Sequence, residues 1–390
     1  MKRLRGRRFS VVAAVGMAAA VTGVGLNALT ANGGRISNGP LRLQHGLAEP
    51  QKPYVRGRRV HGAGGRASLD LTARVSGALM GPLSPVAIQS PNRRFVAYNS
   101  WDERRAVDPE LSFSKQGIKE GDAIARPSVR VLDTANGRDE LLAEGAYSVA
   151  WRRDGAVAYV EGLGRDFSAG REFLGRVVVR KGVHGPRVVW TPEAARYVVY
   201  GWAGRRLIVY RLSEGEHLDT FVLDLPGRAR LLAPGTLVAL SPDGARAFVV
   251  SSDGDAVRVL NVGDGSEVAN LDLRTADPPL DWVAYSGSWA GDHVVASTSR
   301  GLAVFRMEKG EIVLEQVLGL AQGIVQEPRF TDDSARVIAA VAALGADAAA
   351  TNAVIECDRV SRSCLAGDPA PARDWLRLLD NPSRENAGSR

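Results

Sequence analysis

TLVALSPDGARAFVVSSDGDAVRVLNVGDGSEVANLDL, residues 236–273, alternates short runs of Val, Leu, Ala and Phe with the polar stretches SPDG, SSDGD and VGDGSE. Short apolar runs of this kind read as strands buried on one or both faces, and Asp-Gly pairs between them supply the positive φ and side-chain capping that close hairpins. The segment therefore predicts a four-stranded antiparallel meander.

The same unit recurs along the chain. VAIQSPNRRFVAYNS (86–100), VAWRRDGAVAYVEG (149–162), VVYGWAGRRLIVYR (198–211), VALSPDGARAFVVS (238–251), AYSGSWAGDHVVAST (284–298) and PRFTDDSARVIAAV (328–341) each place a polar turn between two apolar runs. Aligned on the last turn residue (Arg93, Gly155, Gly204, Gly244, Gly291 and Ser334), they stand 62, 49, 40, 47 and 43 residues apart. Further hairpin-like pairs follow, among them VRVLDTANGRDELL (129–142) and LAVFRMEKGEIVLEQV (302–317). A lone four-stranded sheet leaves both faces uncovered; radial packing of about 40–50-residue units buries them. The expected fold is an all-β propeller of six four-stranded blades.

SPDGARAFVVSSDGDAVRVLNVGDGSEV (241–268) resembles the SPDG-type repeat of TolB-like and YVTN-type bacterial β-propellers, a resemblance that spans residues 84–366. Its other copies, WRRDG, GWAGR, SWAGD and TDDSA, are degenerate forms. The resemblance implies the fold and little about chemistry, since such propellers host binding proteins, lactonases, lyases and protease gates alike. TolB also carries an α/β domain before its propeller. Here a short Gly- and Arg-rich segment stands in that place, so that domain's role is not carried over.

MKRLRGRRFSVVAAVGMAAAVTGVGLNALTA (1–31) joins a basic start to an apolar run and contains no acid. It is expected to be a signal peptide or, uncleaved, an N-terminal membrane anchor, either of which sends the rest out of the cytoplasm. Its Lys2, Arg3, Arg5, Arg7 and Arg8 account for all but two of the +7 formal charge. No basic stripe interleaved with aromatics remains to suggest nucleic-acid binding. Residues 32–66 read as a flexible Gly/Arg/Pro-rich tether, 67–368 as the propeller, and 369–390 as a short helix (Trp375, Leu376, Leu378, Leu379) with a disordered tail. LDLTARV (69–75) adds one strand-like alternation. Arg greatly outnumbers Lys, which is present six times, a usage typical of GC-rich genomes such as those of actinomycetes.

The two cysteines, Cys357 and Cys364, are expected to bridge the last hairpin as a disulfide, as suits an exported chain. His45, His61, His184, His217 and His293 are scattered without HExxH or His-x-His spacing, which argues against a transition-metal centre. Gly287-Ser288-Trp289-Ala290-Gly291 looks like a nucleophile elbow but has Trp at the centre. Gly162-Leu163-Gly164 lacks the third glycine of a dinucleotide loop, and Asp253-Gly254-Asp255 lacks the ligand series of a calcium loop. No catalytic residue, metal or cofactor is expected.

Two insertions stand out, 101–127 in the first unit and 161–175 in the second, both between second and third strands. Those connections emerge on one face of a propeller, and loops this long are usually functional or disordered. Their Trp101, Asp102, Glu103, Arg104, Lys115, Arg165, Phe167, Arg171 and Phe173 combine aromatics with charge in the manner of contact surfaces. The expectation is a monomeric, exported, non-enzymatic scaffold of the cell envelope or extracellular space, binding an unidentified protein or envelope ligand on that face. The alternative is a lactonase- or lyase-like propeller enzyme working from the central channel. It needs converging polar groups on the innermost strands, where the sequence offers mainly Val, Ala and Leu.

Overall fold

The computed structural model describes residues 42–47, 50, 52–73, 75, 87–101, 123–124, 127–162, 167–168, 174–212, 218–298, 301–320, 324–344, 351–368, 370–371 and 376–379. Every regular element among them is a β-strand. Residues 1–31, expected to be a signal peptide or anchor, and most of the tail lie outside the described residues.

The turns explain why the strands pair as they do. All six turn positions aligned in the sequence hold a left-handed φ: Arg93 60°, Gly155 85°, Gly204 63°, Gly244 71°, Gly291 58° and Ser334 57°. In the SPDG turn the Ser241 hydroxyl donates to Asp243 Oδ1 at 2.6 Å, and the amide of Ala245 donates to the same oxygen at 2.9 Å. The Arg246 amide then donates to Ser241 Oγ at 2.8 Å, so both side chains take up backbone donors that the tight turn leaves over. Ser251 with Asp253 and Thr331 with Asp333 repeat this arrangement, and Ser90 with Asn92 makes it without a charge. Glycine is required at Gly244 on two counts, because a Cβ there would also meet the Ala203 backbone at 3.0 Å.

The six expected units are all present. The first sheet is Ala87–Gln89, Phe95–Trp101, Pro127–Asp133 and Arg138–Glu144. The second is Ala146–Trp151, Ala156–Gly162, Gly175–Lys181 and Arg187–Val189. The third joins Arg196–Ala203, Arg206–Leu212 and Leu218–Leu225 to the first half of the long strand Arg228–Leu240. Its second half opens the fourth sheet, followed by Arg246–Ser251, Ala256–Asn261 and Glu267–Asp272. The strand changes sheets between Pro234, paired with Asp219, and Gly235, paired with Ser251. Gly235 has φ 129°, and a Cβ there would lie 2.2 Å from the Val250 carbonyl oxygen. The fifth sheet is Val283–Ala290, His293–Thr298, Gly301–Glu308 and Glu311–Gly319. The sixth is Ile324–Phe330, Arg336–Leu344, Thr351–Asp358 and Ser363–Ala366, with Arg42–His45 added in parallel at its outer edge. Cys357 and Cys364 are cross-strand partners there and are disulfide-bonded.

A further four-stranded sheet departs from the sequence reading, so that among the described residues the circuit holds more sheets than the six blades expected. The order in this sheet is Leu376–Leu378, Tyr54–Arg56, Arg59–His61 and Ser68–Asp70. Part of the supposed tether is thus folded, His61 lies in a strand stacked on Tyr54 at 4.6 Å, and the Leu-rich tail is extended rather than helical. Leu376 and Leu378 alternate as well as fitting a helical turn. Pairing with Tyr54–Arg56 buries both, which outweighs a local preference for helix.

Buried clusters join the sheets in a closed circuit. Val55, Val60 and Leu69 of this closing sheet pack on Val96, Tyr98 and Leu132 of the first. Ala97 and Val131 of the first meet Val149 and Trp151 of the second. One cluster runs from Val160 of the second through Val199 and Tyr210 of the third to Leu237 and Val249 of the fourth. Phe248 then meets Trp289 and Phe305 of the fifth, and Val295 and Val304 meet Phe330 and Val337 of the sixth. Ile338 and Val354 of the sixth reach Leu376 and Leu378, completing the ring. At the closing seam the buried Asp139 carboxylate accepts from the Thr72 amide and hydroxyl (2.7 and 2.8 Å) and from the Tyr98 hydroxyl (2.6 Å). Arg130 Nε donates to its other oxygen at 3.1 Å, so one carboxylate ties the closing sheet to the first.

Candidate interaction face

The two insertions occupy the places read from the sequence. Trp101 is the last residue of the first blade's second strand, in register with Pro127 where the third begins. In the second blade the corresponding junction is Gly162 to Gly175. What the sequence does not reveal is that the insertions join: Ala123–Ile124 and Phe167–Ser168 form a two-stranded antiparallel ribbon, with Phe167 opposite Ile124. Among the described residues this backbone pairing links the first and second blades' insertions. Of the residues proposed for contact, Trp101 and Phe167 fall on described strands. Asp102, Glu103, Arg104, Lys115, Arg165, Arg171 and Phe173 lie outside the described residues.

Asn99 lies on the same strand as Trp101, two residues before its end and in register with Val129. The residue is 4% exposed, and neither its amide oxygen nor its nitrogen has a hydrogen-bond partner among the described residues. A buried amide of this kind ordinarily costs on the order of 1–3 kcal/mol unless water or another group meets it. An Asn inside an apolar strand carries no spacing signal, so the sequence does not mark it.

The innermost strands are built differently. The innermost strands of the second to sixth blades each carry a register irregularity, at Tyr147/Val149, Val199/Gly201, Leu237/Ala239, Val283/Gly287 and Gln326/Arg329. Bulges turn groups of one strand toward the next blade. Ser148, at φ 58°, donates through Oγ to the Val199 carbonyl at 2.9 Å and accepts from the Val199 amide at 2.6 Å. Tyr200 and Tyr210 donate to the carbonyls of Val238 and Leu237 (2.8 and 2.6 Å), and Arg329 Nη1 donates to the Gly287 carbonyl at 2.7 Å. Glu327, buried, holds φ 50° beside Pro328. The sixth blade's innermost strand therefore contains buried Glu327 and Arg329, more polar than the Val, Ala and Leu expected there.

Other singled-out residues are placed as structural groups. Ser288 Oγ accepts from the Phe330 amide at 3.1 Å, and Trp289 Nε1 donates to the Gly291 carbonyl at 3.0 Å, so neither is set up as a nucleophile elbow. His293 lies between Asp292 (2.6 Å) and Glu315 (3.1 Å), and Glu315 also pairs with Arg359 of the sixth blade at 3.0 Å. Asp253 is a turn residue, as is Asp243, and hydrogen bonds from Ser251 and Ser241 hold their carboxyls below the ordinary value.

No protein-family model matches the sequence, and no curated protein does. Among solved structures the chain is similar to a functionally unknown protein from Desulfotomaculum acetoxidans, at 9% identity and TM-score 0.50, over 84% of this chain and 99% of that one. It is similar to a TolB-assigned protein from Agrobacterium tumefaciens at 11% identity and TM-score 0.41, over 65% of this chain and 98% of that one. It also matches the Pyrococcus horikoshii acylaminoacyl peptidase at 10% identity and TM-score 0.47, over 77% of this chain but only 47% of the peptidase, about half its length. At such identities a likeness speaks to fold alone. The closed circuit of four-stranded sheets makes this chain an all-β propeller.

Proposed function

We propose that the chain is a non-enzymatic binding scaffold, displayed outside the cytoplasm, that holds a protein or envelope ligand on the face formed by the insertions of its first two blades. The carrying observation is the ribbon between Ala123–Ile124 and Phe167–Ser168. Two long loops pay a large ordering entropy when left separate, and pairing across neighbouring blades offers a partner one continuous surface. Their Trp, Phe and Arg content suits such a surface. The Cys357–Cys364 disulfide is of a kind that persists in oxidising compartments, in keeping with the basic and apolar N-terminal segment.

A channel enzyme is the second reading, and Glu327 with Arg329 is the observation in its favour. Arg329 is already engaged by the Gly287 and Pro328 carbonyls, which suits a role in joining blades. The test is capture from envelope extracts with the mature chain as bait, followed by identification of the retained partner. Replacing Phe167, Arg171 and Phe173 by Ala should weaken that partner's binding by at least about tenfold, about 1.4 kcal/mol. Undiminished capture of the same partner by the folded variant would overturn the assignment of the face.

A further inference from the structure

The face opposite the insertions, where first-to-second and third-to-fourth strand turns emerge, carries a pocket of about 740 Å³. It straddles the ring-closure seam. Lys52 and the glycine turn 62–65 come from the closing blade, Arg93 and Arg94 from the first, and Asp332 from the sixth. Pockets of this size accommodate small-molecule ligands.

The lining is predominantly basic, with Lys52, Arg93 and Arg94 against the single acid Asp332. Among the described residues neither Lys52 nor Arg93 makes an ion pair. Arg94 is held by Asp133, with Nη2 to Oδ2 at 2.8 Å, and lies over the Phe95 ring at 5.0 Å. The one acid on the wall, Asp332, already has an interaction of its own. Gly64 and Gly65 take φ 64° and 73° in the turn closed by the Arg66 amide donating to the Ala63 carbonyl at 3.2 Å. Their own amides meet no acceptor among the described residues. The turn is pressed onto the first blade: a Cβ on Gly64 would come within 2.7 Å of Thr134 Oγ1, and Arg66 donates to the Ala135 carbonyl at 2.7 Å. Two uncompensated cations beside free backbone donors are what an oxyanion requires, a guanidinium fork and N–H groups matching its oxygens.

We propose that this seam pocket binds a small multivalent oxyanion, whose phosphoryl or carboxylate groups are met by Lys52, Arg93 and the Gly64–Gly65 amides. Such a ligand touches the closing and first blades together, so its binding raises the stability of the closed ring by mass action.

Pyrophosphate and citrate, titrated into the mature chain by calorimetry and followed by thermal unfolding, are the probes. Saturable binding of either, with a rise in melting temperature, is the expected result, and the tighter of the two tells phosphoryl from carboxylate. The double variant K52Q/R93G should weaken it by at least about tenfold. Glycine at 93 accepts the left-handed φ, so the turn is retained and the ligand-free melting temperature serves as a folding check. K52Q alone, outside any strand, should weaken binding several-fold. Absence of saturable binding by either probe, or equal binding by parent and variants, would overturn the proposal.

Discussion

The fourth blade and the closing blade solve the same packing problem from opposite kinds of sequence. The fourth is contiguous, its strands running from Gly235 to Asp272 with turns capped by Asp243 and Asp253. The closing blade has three-residue strands and borrows its innermost one from the far end of the chain, pairing Tyr54 with Leu378. Loop-closure entropy grows as the logarithm of length, so enclosing roughly 320 residues rather than about ten costs about 3 kcal/mol more. The contrast teaches that the blade is encoded in turn chemistry where it is local, and in burial alone where it is not.

The largest effect is expected at the borrowed strand. Leu376→Asp with Leu378→Asp puts two carboxylates where both side chains are 2% exposed, and should cost upwards of about 5 kcal/mol in urea unfolding. Limited proteolysis should then cut first within 52–71. A parent-like midpoint would mean that the ring does not depend on this strand.

Phe248→Ala probes the contiguous blade, removing a ring packed at 5.2 Å from Phe305 and at 6.4 Å from Trp289. A loss of about 3–5 kcal/mol is expected without early cleavage at 52–71, because the seam lies elsewhere. Early cleavage there would show the two blades to be coupled.

The smallest effect is electrostatic. Hydrogen bonds from Ser241, Ser251 and Thr331 hold the Asp243, Asp253 and Asp333 carboxyls below their ordinary value. A depressed carboxyl contributes stability in full above the unfolded pKa, near 4, and loses it as pH falls through the lower folded value. Acidification below about pH 4 should therefore lower the melting temperature, and Asp243→Asn with Asp253→Asn should flatten that part of the curve. Asn92 already occupies the same turn position in the first blade, so the turns themselves should survive. An unchanged acid limb would place the pH dependence elsewhere.

The recurring units were legible because their turns are local: a residue with φ near 60–85° closes each turn between two apolar runs, and in four of the six it follows Asn or Asp. The disulfide was legible for the same reason, its partners being seven residues apart on one hairpin. The insertions were visible as interruptions of a period, and Trp101 and Phe167 fall where that period broke. Asn99, Glu327 and Arg329 were not visible, since a single polar residue in an apolar strand looks alike whether it faces a neighbour, a bulge or a cavity.

From the sequence alone come the strand–turn unit, its recurrence, the position of both insertions and the hairpin that carries the cysteines, all set by interactions among residues close along the chain. Tertiary structure alone decided that residues 54–70 and 376–378 form one sheet, that the insertions pair, and that Lys52 and Arg93 line one pocket at the seam. Those contacts join segments tens to hundreds of residues apart. Their free energy comes from burial and pairing once the ring closes, which no local pattern records.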